Sequence, residues 1–156
     1  MTVLVAMQPE TYRDYLEGAV AGYARDNVDA GRWPDAGSTE RSRADFQESL
    51  PLGLATPDNH LFEIRAAEGG ALVGFAWLAV QRTATGTAGF IYDLEIKPEY
   101  RRQGHAAHAL GALESFAMAH GATSVGLHVF AFNAAARALY LSRGYDVVSL
   151  NMRKTV

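Results

Sequence analysis

The chain contains no cysteine, which excludes disulfides, thiolate metal centres and a cysteine nucleophile. It has no apolar run approaching the ~20 residues that a bilayer-spanning helix needs. Its start, Met1-Thr2-Val3-Leu4-Val5-Ala6-Met7-Gln8-Pro9, lacks the basic stretch and apolar length of a secretory leader. A soluble cytoplasmic protein with no membrane partner is therefore expected. Positive charge is not in surplus: 14 Lys and Arg face 17 Asp and Glu, a net of -3. Nucleic acid is not an expected partner of such a surface. Neither G-x-G-x-x-G nor G-x-x-x-x-G-K-[ST] occurs, so nucleotide-binding modules of the Rossmann and P-loop kinds lack support. His105 and His108 stand three apart with no third ligand in view, so no metal site is expected.

What is present suits one globular domain over residues 1–156, with 49% apolar and 20% charged residues. Charge is uneven along it. Residues 1–50 hold nine acids against five arginines, whereas the remainder holds eight acids against nine bases. An acidic front would suit a cationic acceptor and a slightly basic back an anionic cofactor. Solvated surface acids explain the same imbalance.

The periodicities predict the order βααβββαβαβ. Residues 2–7 read as a strand, and Pro9 to about Ala30 as a helix with Tyr12, Tyr15, Leu16, Ala19, Val20 and Tyr23 at helical spacing. After the Trp33-Pro34 loop, Ser38 or Thr39 can cap a second helix ending at Pro51. Strands follow at 60–67, 71–82 and 88–97, then a helix at 106–120, a strand at 124–130, a helix at 134–143 and a last strand at 145–153. This is an α/β layout with helices covering a mixed sheet.

The most informative stretch joins the third of those strands to the following helix: Ile91-Tyr92-Asp93-Leu94-Glu95-Ile96-Lys97-Pro98-Glu99-Tyr100-Arg101-Arg102-Gln103-Gly104-His105-Ala106. A strand entering a helix through a basic, Gly-containing turn is a place to hold phosphate. The first amides of the helix have no intrahelical partner, and the helix dipole is positive there. Arg101 and Arg102 add charged donor forks. Asp93 and Glu95 lie just upstream, so the pattern points to a phosphorylated cofactor beside an acid–base centre.

The turn Arg101-Arg102-Gln103-Gly104-His105-Ala106 fits R/Q-x-x-G-x-G/A, and Leu94-Glu95-Ile96-Lys97-Pro98 is similar to L-x-V-x-P. Asn133-Ala134-Ala135-Ala136-Arg137-Ala138-Leu139-Tyr140, with Arg143-Gly144-Tyr145 after it, matches N-x-x-A-x-x-L-Y…G-F/Y. Together with the element order, these resemble the GCN5-related N-acetyltransferases, the GNAT superfamily. The motifs cover residues 88–152; the first 60 residues agree only in their pattern of elements.

The resemblance implies a GNAT-like α/β fold. Its central mixed, mostly antiparallel sheet is flanked by helices, and its splayed central strands hold acetyl-CoA. It implies that the main chain of Leu94 and Ile96 pairs with pantetheine, and that Arg101, Arg102, Gln103, Gly104, His105, Ala106 and Ala107 surround the pyrophosphate. It makes Asn133 a cofactor contact as well as a helix cap, and Tyr140 the donor to the departing thiolate. Asp93 and Glu95 are the candidate general bases, Glu95 first because the resemblance sets it nearer the thioester. Either acid could instead pair with an arginine or cap an amide. His128, on the neighbouring strand, is a further base or acceptor contact, or a sheet histidine. Strict alternation sets Phe90, Tyr92, Leu94 and Ile96 on one face and Ile91, Asp93, Glu95 and Lys97 on the other, unless a bulge intervenes. Trp33, Phe46 and Tyr23 either line an acceptor pocket or are core.

The implied reaction is transfer of acetyl from acetyl-CoA to a primary amine, on a small molecule, peptide or protein, by direct attack in a ternary complex. The alternative is a catalytically inactive acyl-CoA-binding sensor or interaction module. Family members are often dimers, which leaves a homodimer open; nothing in the chain identifies the acceptor.

Overall fold

The computed structural model describes all residues, Met1–Val156. One five-stranded sheet runs in sequence order: β1 (Thr2–Ala6), β2 (Asn59–Ala66), β3 (Leu72–Thr83), β4 (Gly86–Ile96) and β5 (Ser124–Leu127). Pairing is antiparallel except between β4 and β5, which are parallel and joined through a crossover helix. The helices are α1 (Pro9–Asp29), α2 (Ser38–Ser49), α3 (His105–Ala119) and α4 (Ala134–Ser142). The mixed, mostly antiparallel sheet expected from the sequence is present, flanked by helices.

Proline opens α1 at its first helical position, where a missing N–H costs no hydrogen bond. The start of α2 differs from expectation. Gly37, at φ +75°, precedes it, and Ser38 is already helical and buried with no side-chain cap. Asn133 does cap α4, its Oδ1 accepting from the Ala136 amide at 3.3 Å.

Two apolar cores lie on the two faces of the sheet. Under α3, Ile64, Val73, Leu78 and Ile91 meet Leu110, Leu113 and Ala117. Gly89 permits this approach, because a Cβ there would stand 3.0 Å from the Ala117 Cβ. Under α1 and α2, Met7, Tyr15, Leu50, Leu61 and Trp77 form the second core. Inside that face the carboxylate of Glu63 is fully buried and held by Arg65 at 2.6 Å, which neutralises a charge that could not otherwise sit there.

Strict alternation fails in β4. Trp77 pairs with Asp93 and Leu78 with Ile91, so Tyr92 is the extra residue of a bulge. The slip sends Ile91 into the α3 core with Leu94 and Ile96, while Tyr92 stacks on Trp77 on the opposite face. The expected grouping of Ile91 with Asp93 and of Tyr92 with Leu94 is therefore corrected.

The last strand expected over 145–153 does not form. Residues 145–156 have no regular structure, and Val147, Val148, Leu150 and Met152 are exposed. Tyr145 is the anchor, donating to Glu114 Oε1 at 3.0 Å. Farther on, Arg153 donates to the carbonyls of Gly31 and Ala30 at 2.9 and 3.3 Å, just past the C-terminal end of α1, where a cation suits the helix dipole. With β5 only four residues long, the tail has little strand edge to join and is tied to a helix end instead.

Candidate active site

The sheet opens at one point. The β4–β5 ladder begins at Ala88 and Ser124 and stops at Ile91 and Leu127, while β4 continues to Ile96. Past Ile91, the main chain of β4 therefore has no strand beside it on the β5 side. Leu94 and Ile96 lie on this stretch with their side chains in the α3 core, which fixes the strand and leaves its backbone edge free. On the other side β3 comes unusually close. A Cβ on Gly74 would lie 2.1 Å from the Glu95 carbonyl oxygen, so only glycine fits.

β4 leads through a short 3-10 turn, Pro98–Tyr100, into the loop before α3. Arg101 points its Nε back to the Ile96 carbonyl at 2.9 Å and ties the loop to the strand end. Arg102 and Gly104 both have positive φ, +63° and +84°. For arginine this left-handed conformation is strained by about 1–2 kcal/mol. Gly104 precedes α3 without any side-chain cap, so no side chain serves the first-turn amides of His105, Ala106 and Ala107. Nothing lies within 4 Å of where a Gly104 Cβ would stand, so the space over the loop is open. Arg102 and Gln103 are exposed beside it, and Nδ1 of His105 is buried with no hydrogen-bond partner. Left-handed turns, uncapped amides, two arginines and an orphaned nitrogen together fit a polyanionic group such as a pyrophosphate.

Asp93 stands at the mouth of the opening. It accepts a 2.8 Å hydrogen bond from the Tyr15 hydroxyl. Removal from water pushes its carboxyl up to about 6; the Tyr15 hydrogen bond opposes the rise and the charge of Glu95 adds to it. Tyr15 is buried, and its hydroxyl is raised well above the ordinary phenol value by burial and then by Asp93, so it remains a donor. Glu95 itself is exposed. Tyr140, on α4, is half-buried; burial raises its hydroxyl, and Asp93 is near enough to raise it further. It packs against Tyr145, with ring centres 5.8 Å apart.

Tyr140 thus lies within electrostatic reach of Asp93, whose hydrogen-bond partner is Tyr15, and Glu95 stands two positions along β4. His128 falls one residue past β5, which stops short of the expected 130, and lies edge-on to Phe130, its imidazole held below its ordinary value by partial desolvation and then by Arg32. Asn133 caps its own helix through Oδ1. Sequence reasoning missed Tyr15. Its hydroxyl sat within an apolar helical stripe, and only the rule that buried phenols need partners pointed to an acid.

The arrangement offers a carboxylate that can take a proton near neutral pH, a phenol that keeps its own, and an anion-binding loop at the end of an open strand. The model of the acetyltransferase (GNAT) family matches residues 24–145. The chain is 36% identical to the uncharacterized N-acetyltransferase YycN of Bacillus subtilis, aligning over 99% of each. It is 30% identical to the uncharacterized N-acetyltransferase YdgE of the same organism, over 95% of this chain and 94% of that one. The crystal structure of YycN superposes with a TM-score of 0.94 at 35% identity, covering 100% of this chain and 99% of the other. On a family match over residues 24–145 and two near full-length relatives, the chain belongs to the GNAT family of acetyltransferases.

Proposed function

We propose that residues 1–156 form a single cytoplasmic acetyltransferase domain that moves acetyl from acetyl-CoA to a primary amine by direct attack in a ternary complex. The observation that carries this reading is the strand edge left free beyond Ile91, which carries Asp93 and leads into the uncapped, left-handed loop before α3. Acetyl-CoA supplies an activated thioester. The Leu94 and Ile96 main chain would align its pantetheine, and residues 101–107 would hold its phosphates.

Asp93, rather than the exposed Glu95, is the proposed base. A group titrating at about 6 is charged at neutral pH and well matched to accept a proton there. It takes one proton from the acceptor ammonium, directly or through water. The freed nitrogen attacks the thioester carbon and the carbon–sulfur bond breaks. The thiolate takes its proton from the Tyr140 hydroxyl; the second proton, shed by the nitrogen as it becomes an amide, returns through water to the phenol, and Asp93 releases the first to solvent. Because burial raises Tyr140, it keeps its proton at neutral pH and is a donor ready to hydrogen-bond the sulfur as its charge develops. Glu95 acts by its charge on Asp93, and Asn133 supports the cofactor side through α4.

Titration calorimetry with acetyl-CoA, with ATP and NAD as controls, tests the reading, followed by thiol release over a panel of amines. Selective acetyl-CoA binding with turnover is expected. Binding without turnover on any amine would favour the sensor alternative, and no binding would overturn both.

A further inference from the structure

The bulge at Tyr92 has a second effect, one residue from the proposed base. It turns the Tyr92 ring onto Trp77, the strand partner of Asp93, with ring centres 4.5 Å apart and planes 22° from parallel. From Trp77 the aromatic wall continues to Phe46 on α2 at 5.7 Å, and from Phe46 to Tyr23 on α1 at 6.0 Å. These four rings enclose a cleft of about 200 Å³, and Asp45 and Glu48 of α2 complete its rim. Tyr92 is 46% exposed, unusual for a ring in the middle of a sheet strand.

Neither carboxylate is satisfied by the protein. The ion pairs join Arg43 to Glu17, Arg65 to Glu63 and Arg82 to Asp58, and none reaches Asp45 or Glu48. No basic residue lines the cleft. Aromatic faces are negative, and with two free carboxylates they form an environment that attracts cations and repels anions. The molecule already applies this chemistry next door, where Arg41 lies over the Trp33 ring at 5.8 Å.

We propose that this cleft is a specificity subsite for a second cationic group of the acceptor. That group is an alkylammonium carried on the same molecule as the amine that reacts at Asp93. This rests on the acetyl-transfer reading and extends it: the acceptor class becomes a diamine, one nitrogen acetylated and the other held among Tyr23, Phe46, Trp77 and Tyr92. The position of Trp77 opposite Asp93 sets the two nitrogens in adjoining compartments separated by an alkyl spacer.

The test compares α,ω-diaminoalkanes with the n-alkylamines of matching length in the thiol-release assay, using wild type and the double variant Asp45→Asn/Glu48→Gln. Wild type is expected to prefer the best diamine by roughly tenfold or more in kcat/KM, chiefly through KM. The double variant should reduce that ratio to within about twofold, as should Tyr92→Leu in part. Equal use of monoamines and diamines by wild type, or a preference that survives the double variant, overturns the proposal. A second readout needs no turnover. In a Trp33→Phe background Trp77 is the one remaining tryptophan, and tetramethylammonium should change its fluorescence saturably, with the effect lost in the double variant. Saturable binding without thiol release from any amine keeps the subsite and removes the acetyl-transfer reading. Thiol release with neither diamine preference nor fluorescence change does the reverse.

Discussion

The Tyr15 hydroxyl on α1 donates a 2.8 Å hydrogen bond to Oδ2 of Asp93 on β4, across 78 positions of sequence. This contact opposes the larger effect of burial on the Asp93 carboxyl. Burial and Glu95 push its carboxyl up, Tyr15 pulls it down, and the balance falls at about 6. Tyr15 also ties the first helix to the strand that carries the site, so the α1 surface bordering the cleft is set by the group that tunes the chemistry.

Opposite shifts of the acid limb of the pH–rate profile are expected from the two neighbours of Asp93. Activity requires the carboxylate, so it should rise with pH through about 6 in wild type. Tyr15→Phe removes a bond to the charged form and should move the limb up by roughly one pH unit. Glu95→Gln removes a repelling charge and should move it down by less. Steady-state rates between pH 5 and 8 check both. A fall in rate for Glu95→Gln at every pH, with no shift of the limb, would return the base role to Glu95.

Asp93→Asn should lower kcat by roughly 100-fold or more yet leave the fold more stable at neutral pH. The sign follows from linkage. The carboxyl sits higher in the folded protein than its ordinary value of 3.8, so the folded state binds the proton more tightly. Stability from this group is present at low pH and is lost as pH rises from about 4 to about 6. An uncharged isostere avoids that loss and should add about 1–2 kcal/mol at pH 7, and nothing near pH 3. Urea melts at the two pH values measure it.

Tyr140→Phe should cut kcat by roughly 10- to 100-fold while leaving acetyl-CoA affinity within about twofold, since the donor is needed only as the thiolate departs. Calorimetry beside initial rates separates the two effects. Unchanged turnover would remove Tyr140 from the chemistry.

Two glycines should fail differently. Gly74→Ala sets a Cβ against the Glu95 carbonyl oxygen, a backbone atom that can yield only if β3 and β4 separate. The expected loss is about 2–4 kcal/mol of stability, with the cofactor edge displaced. Gly104→Ala meets no neighbour, but its φ of +84° costs about 1–2 kcal/mol, and Gly104→Asn should recover part of that. Weakened acetyl-CoA binding with a modestly lowered melt is therefore expected at Gly104, and a larger drop in the melt at Gly74.

What the sequence by itself determined is the part of the protein whose physics is local. The basic loop before α3 was legible because its parts are consecutive: Arg101 and Arg102, then Gly104, whose φ is positive, and a helix starting at His105 with uncapped amides. The Asn133 cap spans three residues and was legible for the same reason. The tertiary structure decided everything that joins distant elements. The bulge at Tyr92 reversed the expected facing of Ile91 and Tyr92, because a register slip depends on the partner strand. Asp93 rather than Glu95 is the carboxylate drawn toward neutrality, because only packing brings Tyr15 above it and water away from it. The last strand, legible as a pattern in residues 145–153, did not form. A strand needs an edge to join, and here Arg153 found the carbonyl end of α1 instead.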